Sequence, residues 1–243
     1  MSPNEPVARS ASDDKLFDEW WCEPGSGDQS MEDEHGDHWR EFLRYIEEPD
    51  LTSSTVLDFG CNQGGMLRML YDTKPFASAV GVDLARRSID VAKSRKGDRP
   101  IRYEATSSLS HLCDVFDLAL SSAVLFLVDD MNEHAKQIFS ALKAEGVYYA
   151  SHPDFLSYPN FEQIRKDINK FAAVPLVPHS LESIVTTFDA AGFRVGIKRV
   201  VPQTFVELNP GRNWFSSVAD NIEASYLHSY VFQFSKPPLH SAD

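Results

Sequence analysis

Two acidic residues each follow a short apolar run. Asp58 comes directly after Thr55-Val56-Leu57, and Asp83 ends the run Ala79–Val82, 25 residues further along the chain. Runs of this kind predict buried strands, and the separation matches one strand–helix–strand unit. Parallel strands of such units end at the same edge of a sheet, so we expect the two carboxylates to face one cleft. A carboxylate at the end of the second strand can accept hydrogen bonds from the cis-diol of a ribose.

A turn of small residues lies between the first strand and an apolar stretch with helical spacing. It reads Gly60-Cys61-Asn62-Gln63-Gly64-Gly65. A strand, a glycine turn and a helix together place backbone N–H groups and a helix N-terminus against a ligand. The spacing is not that of a dinucleotide fingerprint, because Asn62 stands at its second glycine, nor that of a Walker loop, because Gly65-Met66-Leu67 stands at its end. A turn used purely for packing is the alternative.

The pattern acid-x-Gly-Cys-Asn-x-Gly after a strand resembles the first motif of class I S-adenosylmethionine (AdoMet) methyltransferases. The resemblance covers about residues 50–235 and is most specific in the two acid-terminated segments. It implies an α/β fold: a doubly wound seven-stranded sheet, mostly parallel with an antiparallel last strand, and helices on both faces. It also implies AdoMet as the cofactor. No cluster with metal-ligand spacing is visible in the sequence, so we expect no metal.

The resemblance assigns cofactor contacts along the chain. It places Asp83 and Leu84 at the ribose, although Asp83 could instead cap the next helix. It places Ala105-Thr106 beside the adenine, where many members of the family have an acid, so Glu104 or the Thr106 backbone could take over that contact. The expected cofactor-binding residues are Phe17, Trp21, Asp58, Gly60, Cys61, Asn62, Gly64, Asp83, Leu84, Ala105, Thr106 and Ser121.

Hydrophobic periodicity predicts the remaining elements. Beyond the strands named above, we expect strands over 101–104, 115–121, 147–151, 194–201 and 224–234. We expect helices over 13–21, 34–47, 85–96, 131–143, 161–171 and 180–191.

The same patterns divide the chain into segments. We expect a disordered tail over 1–12, a helical lid over 13–49, a cofactor-binding domain over 50–235 and a tail over 236–243. Insertions facing the substrate are expected at 152–180 and 202–224. In the lid, Phe17 and Trp21 would face the cleft and Gly25-Ser26-Gly27 would be the hinge. Permanent packing of the tryptophans is the alternative.

Methyl transfer needs a general base only when the acceptor atom carries a proton with a high pKa. His152, which follows the fifth strand, and His35, in the expected lid, are the leading candidates for that base, and His38 lies in the same lid region. A single histidine without known partners is more often a packing residue. The cleft region is rich in aromatic residues, which suits a flat or apolar acceptor: Trp20, Trp21, Tyr158, Phe161, Trp214 and Phe215.

Composition narrows the function classes. The 243 residues carry a formal net charge of −13 and no basic cluster, which makes a nucleic-acid partner unlikely. No apolar run approaches a membrane span, no signal peptide is apparent, and the three cysteines are scattered, so we expect a cytoplasmic protein without a membrane partner. We expect transfer of a methyl group to O or N of a small aromatic or heterocyclic metabolite. Binding of AdoMet without transfer, or methylation of protein or RNA, are the alternatives, and the oligomeric state stays open.

Overall fold

A computed structural model of the chain describes residues 16–25, 27–206, 215 and 217–238. The expected tail over 1–12, most of the tail after 236 and part of the insertion at 202–224 lie outside these ranges. Within the described residues, no helix has the length and apolar character that a membrane crossing requires.

Seven strands and seven α-helices make up the described chain. The strands are β1 (Leu51–Phe59), β2 (Phe76–Asp83), β3 (Ile101–Ala105), β4 (Phe116–Ser122), β5 (Leu142–Pro153), β6 (Arg194–Arg199) and β7 (Ser229–Ser235). The helices are α1 (Gly27–Leu43), α2 (Gly65–Thr73), α3 (Arg86–Arg95), α4 (Met131–Ala141), α5 (Phe161–Phe171), α6 (Leu181–Ala190) and α7 (Val218–Leu227). Two short 3₁₀ turns, Leu125–Leu127 and Phe155–Ser157, follow β4 and β5.

The strands form one sheet in the order β3-β2-β1-β4-β5-β7-β6. Strands β1 to β5 are parallel to one another, and β7 is antiparallel to both β5 and β6. This is the doubly wound, mostly parallel sheet with an antiparallel end that the sequence predicts. The order reverses between β1 and β4, which is where such folds bind ligands, beyond the carboxyl ends of the strands.

Alternating apolar side chains build a core on each face of the sheet. In β1, Val56 packs into the cluster that contains Leu67 and Ile89, whereas its neighbour Leu57 packs into the cluster that contains Ile138. Successive side chains on a strand point to opposite faces, so one run of apolar residues supplies both cores.

The chain before α1 is extended, and the predicted helix over 13–21 is wrong for its described part. We call residues 16–25 the N-terminal strap. Its Phe17 pairs with the turn after β2, where the Phe17 N–H donates to Leu84 O and the Arg86 N–H donates to Phe17 O. Further on, the Cys22 N–H donates to Phe171 O at the end of α5. These long-range backbone bonds replace the local bonds of a helix, so tertiary pairing overrides the local apolar periodicity.

Two other element bounds differ from the sequence predictions. Helix α1 begins at Gly27, inside the expected loop, and ends at Leu43 instead of 47. Helix α7 occupies the place where a connection and the start of the last strand were predicted, and β7 begins only at Ser229. The Ser217 hydroxyl accepts the Asp220 N–H and caps α7, a local start signal that the prediction missed.

Candidate functional site

A cavity of about 1120 Å³ opens at the carboxyl ends of β1, β2 and β4. The strap and α1 form one wall, and the segments after β4 and β5 form another. The cavity brings together residues that are more than 200 positions apart in the chain, since Phe17 and Ser229 both line it. Its position is the one that the strand order predicts for a ligand.

Asp58 is the most unusual group in this cavity. Its side chain is buried, and neither carboxylate oxygen has a hydrogen-bond partner among the described residues. Burial and the neighbouring Asp83 raise the pKa of Asp58 well above its ordinary value. Buried polar groups are almost always paired. A lone buried carboxylate that faces a cavity therefore fits a ligand that brings positive charge or hydrogen-bond donors, as AdoMet does with its sulfonium and ammonium groups.

The glycine turn after β1 is held by its own backbone bonds. The N–H groups of Gly60 and Cys61 both donate to Val82 O, at 2.8 and 3.0 Å, and the Gly64 N–H donates to Cys61 O at 2.8 Å. Gly60 has a φ of 80°, and a Cβ there would lie 2.5 Å from a Val124 methyl carbon. These N–H groups are occupied, so this turn does not hold an anion as a phosphate-binding loop does. The turn instead brings its backbone to the border of the cavity, with no side chain in between at Gly60.

Asp83 holds two backbone segments and also borders the cavity. Oδ2 accepts the Asn62 N–H and Oδ1 accepts the Ala85 N–H, each at 2.8 Å, so the carboxylate holds the glycine turn and the start of α3. Asp83 also lines the cavity. Burial raises its pKa to about 6, opposed by these backbone hydrogen bonds. Each oxygen has a further lone pair, so a ligand hydroxyl can still be accepted.

The other expected cofactor residues divide into two groups. Cavity-lining positions are Phe17, Gly60, Cys61, Asn62, Leu84 and Thr106. Gly64, Ala105, Ser121 and Trp21 do not line it. The Ser121 hydroxyl donates to Phe59 O and so joins β4 to β1. At Gly64, a Cβ would meet the Tyr103 hydroxyl at 2.4 Å, so this glycine makes room for Tyr103.

In the strap, Trp20 lines the cavity and Trp21 does not, so the expectation that Trp21 faces the cleft needs correction. The Trp21 ring is buried 5.5 Å from the Phe171 ring, and the Trp21 backbone N–H donates to Asp28 Oδ1 at 2.9 Å. Trp20 Nε1 has no hydrogen-bond partner among the described residues. In an extended chain adjacent side chains point to opposite sides, which a helical reading of this segment could not anticipate.

The same alternation corrects the placement of His152. Ser151 points toward the cavity wall, where its hydroxyl accepts the Ala123 N–H at 2.9 Å and lies 3.4 Å from His38 Nε2. His152 points the other way and lies near Phe232, with ring centroids 6.3 Å apart. Burial lowers the pKa of His152 to about 4. His152 therefore does not reach the cavity, whereas His35 does.

Helix α1 contributes several cavity residues, of which the sequence had pointed to the histidines but not to Glu32. Glu32, His35 and Trp39 recur at helical spacing and all line the cavity, as does His38. Arg68 binds Glu32 Oε1, while Glu32 Oε2 is buried and unpaired within the described chain. The i, i+3, i+7 spacing of these residues could have indicated a helix face toward the cavity. It was missed because residues 22–33, which include the first turns of α1, were predicted to be a loop.

The cavity has two chemically different ends. One contains the carboxylates of Asp58 and Asp83 with the glycine turn. The other is aromatic and apolar, and is lined by Phe126, Phe155, Tyr158, Val174 and Phe215. A space of this kind can hold a polar, positively charged molecule beside a flat apolar one and keep both from bulk water.

Curated proteins with similar sequences are methyltransferases. The chain is 29% identical over 122 residues to a malonyl-[acyl-carrier protein] O-methyltransferase of Anoxybacillus flavithermus, covering 45% of this chain and 47% of that protein. It is 28% identical over 138 residues to a trans-aconitate 2-methyltransferase of Rhodopseudomonas palustris, covering 56% and 52%. The chain spans about half the length of the curated relatives it matches.

Solved structures share the fold. A methyltransferase in complex with the Haloferax volcanii Trm112 methyltransferase activator matches with a TM-score of 0.73 and 18% identity, over 86% of this chain and 93% of that one. Geranyl diphosphate C-methyltransferase of Streptomyces coelicolor, in complex with S-adenosyl-L-homocysteine, matches with a TM-score of 0.62 and 14% identity, over 82% and 77%.

A family model described as a methyltransferase domain matches residues 31–195, from α1 into β6. The match includes both acid-terminated strands and the glycine turn. With the sheet order, this shows the family that the sequence predicts: the chain belongs to the methyltransferase domain family and has the class I methyltransferase fold, whose members use AdoMet.

Proposed function

We propose that this enzyme transfers the methyl group of AdoMet to an oxygen or nitrogen atom of a small, uncharged, aromatic or heterocyclic acceptor. The observation that carries the proposal is the two-ended cavity, in which buried carboxylates lie at one end and aromatic side chains at the other. AdoMet supplies a methyl group on a sulfonium, which is already an electrophile with a good leaving group. The protein must position the acceptor and exclude water.

At the polar end, we assign the ribose hydroxyls of the cofactor to Asp83 and its positively charged portion to Asp58. The unpaired oxygens of Asp58 support this assignment. Gly60 lets the cofactor approach the backbone, and Leu84 and Thr106 border the adenine. Since the Ala105 side chain does not line the cavity, the adenine contact at this position falls to Thr106.

The charged residues that line the cavity favour an uncharged acceptor over one that carries a carboxylate. Trans-aconitate and malonyl-acyl-carrier protein, after which the curated relatives are named, both carry carboxylates. Burying a carboxylate requires a cationic partner. Across residues 16–25, 27–206, 215 and 217–238, no lysine or arginine lines the cavity, whereas Glu32, Asp129 and Glu133 do.

The proposed acceptor class is tested with purified protein and AdoMet labelled in its methyl group. We expect label in small phenols and hydroxylated or amino heterocycles, and little in trans-aconitate, fatty dicarboxylates, RNA or protein from a cell extract. Gly60→Val is the inactive control, because it places a side chain against Val124 and should transfer no methyl group. Label confined to the dicarboxylates or to macromolecules would contradict the proposal, and AdoMet binding without transfer to any fraction would favour the binding-only alternative.

Replacing Asp83 tests the ribose contact. Asp83→Ala removes a charged acceptor of hydroxyl hydrogen bonds and should weaken AdoMet binding by about 1–3 kcal/mol in calorimetry. Because Asp83 also holds Asn62 and Ala85, circular dichroism should confirm that the variant is folded. Asp72→Ala is the matched control, since Asp72 pairs with Arg99 outside the cavity. Equal affinity in the Asp83 and Asp72 variants would refute the assignment.

Replacing Asp58 separates binding from stability. The folded state raises the pKa of Asp58, so it favours the protonated form, and the associated stability is present at low pH and lost as the pH rises through that raised pKa. Asp58→Asn removes the ionisation. Without cofactor, its free energy of unfolding should match that of wild type near pH 4 and exceed it by about 1–3 kcal/mol at pH 8.

The same Asp58→Asn variant should bind AdoMet more weakly at pH 8, because it has lost the negative charge that faces the cofactor. Denaturant unfolding at pH 4, 6 and 8 and calorimetry give the two quantities. A pH-independent loss of stability in the variant would show that Asp58 has an ordinary structural role.

We also propose that the segment over 13–49 acts as a lid. Asp28 accepts the N–H groups of Trp20 and Trp21 at 3.2 and 2.9 Å and the Ser88 hydroxyl, so it clamps the strap onto α3. Hydrogen exchange over 16–43 should slow when S-adenosylhomocysteine is added. Asp28→Ala should speed that exchange and weaken binding, whereas Asp33→Ala, at an exposed position on α1, should do neither. Exchange that is slow without ligand and unchanged by it would identify a permanent structural cap.

A further inference from the structure

We propose that His38 is the general base that removes the acceptor proton, and that Ser151 orients its ring. The inference rests on the proposed function, because it concerns an acceptor whose attacking atom carries a proton. The pair joins α1 to the end of β5, and it replaces His152 and His35 as the centre of proton transfer.

The geometry of the pair supports this role. His38 lines the cavity, and its side chain is open to that space. Its Nε2 lies 3.4 Å from Ser151 Oγ, and the Ser151 hydroxyl in turn accepts the Ala123 N–H at 2.9 Å. Ser151 therefore has a fixed position on the central sheet. When His38 Nε2–H donates to it, the lone pair of Nδ1 is left for the acceptor proton.

The protonation state of His38 suits a base. Desolvation, together with the nearby His35, lowers the pKa of His38 below its ordinary value. The two imidazole rings are in an edge arrangement with centroids 6.2 Å apart. Glu32 and His35 on α1 are the ionisable groups that line the cavity from the same helix, and Asp58 and Asp83 line it from the strand ends. At neutral pH the His38 imidazole is uncharged and able to accept a proton.

The other histidines near the cavity are placed less well. His134 also lines the cavity, but its side chain is buried and its Nε2 lies 3.2 Å from the Tyr148 hydroxyl. His35 stacks on Trp39 with centroids 6.1 Å apart, so its ring is part of the aromatic wall of α1. His38, by contrast, has its ring nitrogen 3.4 Å from the Ser151 hydroxyl, at the carboxyl end of a parallel strand.

The step balances without a further reactant. A lone pair on the acceptor oxygen forms a bond to the methyl carbon, the carbon–sulfur bond breaks, and its electron pair stays on sulfur, which leaves neutral S-adenosylhomocysteine. The proton of the acceptor hydroxyl passes to His38 and then to water. A base contributes most when the acceptor keeps its proton at neutral pH and little when the acceptor ionises by itself.

This dependence gives the test, with phenol and the far more acidic 4-nitrophenol as probe acceptors. His38→Gln should lower kcat about 10²–10⁴-fold for phenol, the usual contribution of a general base, and change the rate with 4-nitrophenol much less. Ser151→Ala should show the same preference with a smaller loss. His111→Gln is the control, since His111 pairs with Glu104 on the surface and should leave both rates unchanged.

Two measurements without turnover complete the test. Calorimetric affinity for S-adenosylhomocysteine should be equal in wild type and His38→Gln, which shows that the variant is folded and its cofactor end intact. In the imidazole ¹⁵N spectrum of the S-adenosylhomocysteine complex, adding phenol should shift the His38 signals, and Ser151→Ala should alter its tautomer balance.

The outcomes separate the two proposals. Equal losses with both phenols, or His38 signals that phenol leaves unmoved, would overturn the assignment of His38 while leaving the proposed function in place. Wild-type protein that binds AdoMet yet methylates neither phenol would overturn the proposed function and, with it, the assignment of the base.

Discussion

The structure around the cavity depends on one electrostatic arrangement, the buried carboxylate of Asp58 beside that of Asp83. Asp83 is held by backbone N–H groups on both oxygens, so it fixes the glycine turn to the start of α3. Asp58 has no such partners in the described chain. The folded protein thus keeps an unpaired buried carboxyl group at this point, and we propose that the cationic cofactor offsets the cost of its ionisation. This is the compromise between stability and function that binding sites commonly show.

The strap and α1 convert an open sheet edge into a cavity. Without them, the carboxyl ends of β1, β2 and β4 would face solvent. The strap crosses the cavity and is fixed at both ends: Phe17 is hydrogen-bonded to the β2–α3 turn and Cys22 to the end of α5. Asp28 joins the strap to α1. Helix α1 then turns Glu32, His35, His38 and Trp39 inward. One N-terminal segment therefore provides both the cover and the polar groups that face the acceptor.

The fold is shared with enzymes that act on chemically different acceptors, so the fold alone does not select the acceptor. Geranyl diphosphate and S-adenosylhomocysteine are both named in one structural neighbour, and trans-aconitate in a curated relative. In this chain the distinguishing surface comes from α1 and the segments after β4 and β5. We propose that its aromatic walls favour flat, uncharged molecules and that His38 accepts the proton of the acceptor.

The sequence alone determined the sheet, the two acid-terminated strands, the glycine turn and hence the family and cofactor, because these are short-range patterns of strand, turn and helix. Only the tertiary structure decided which of two neighbouring residues faces the site: Trp20, and not Trp21, lines the cavity, and Ser151, and not His152, contacts the cavity-lining His38. Adjacent residues of an extended chain face opposite sides, and the choice between them depends on pairing with distant segments. The sequence placed His38 in the segment over the cleft, but it could not show the contact with Ser151, which lies 113 residues away, because only folding brings the two together.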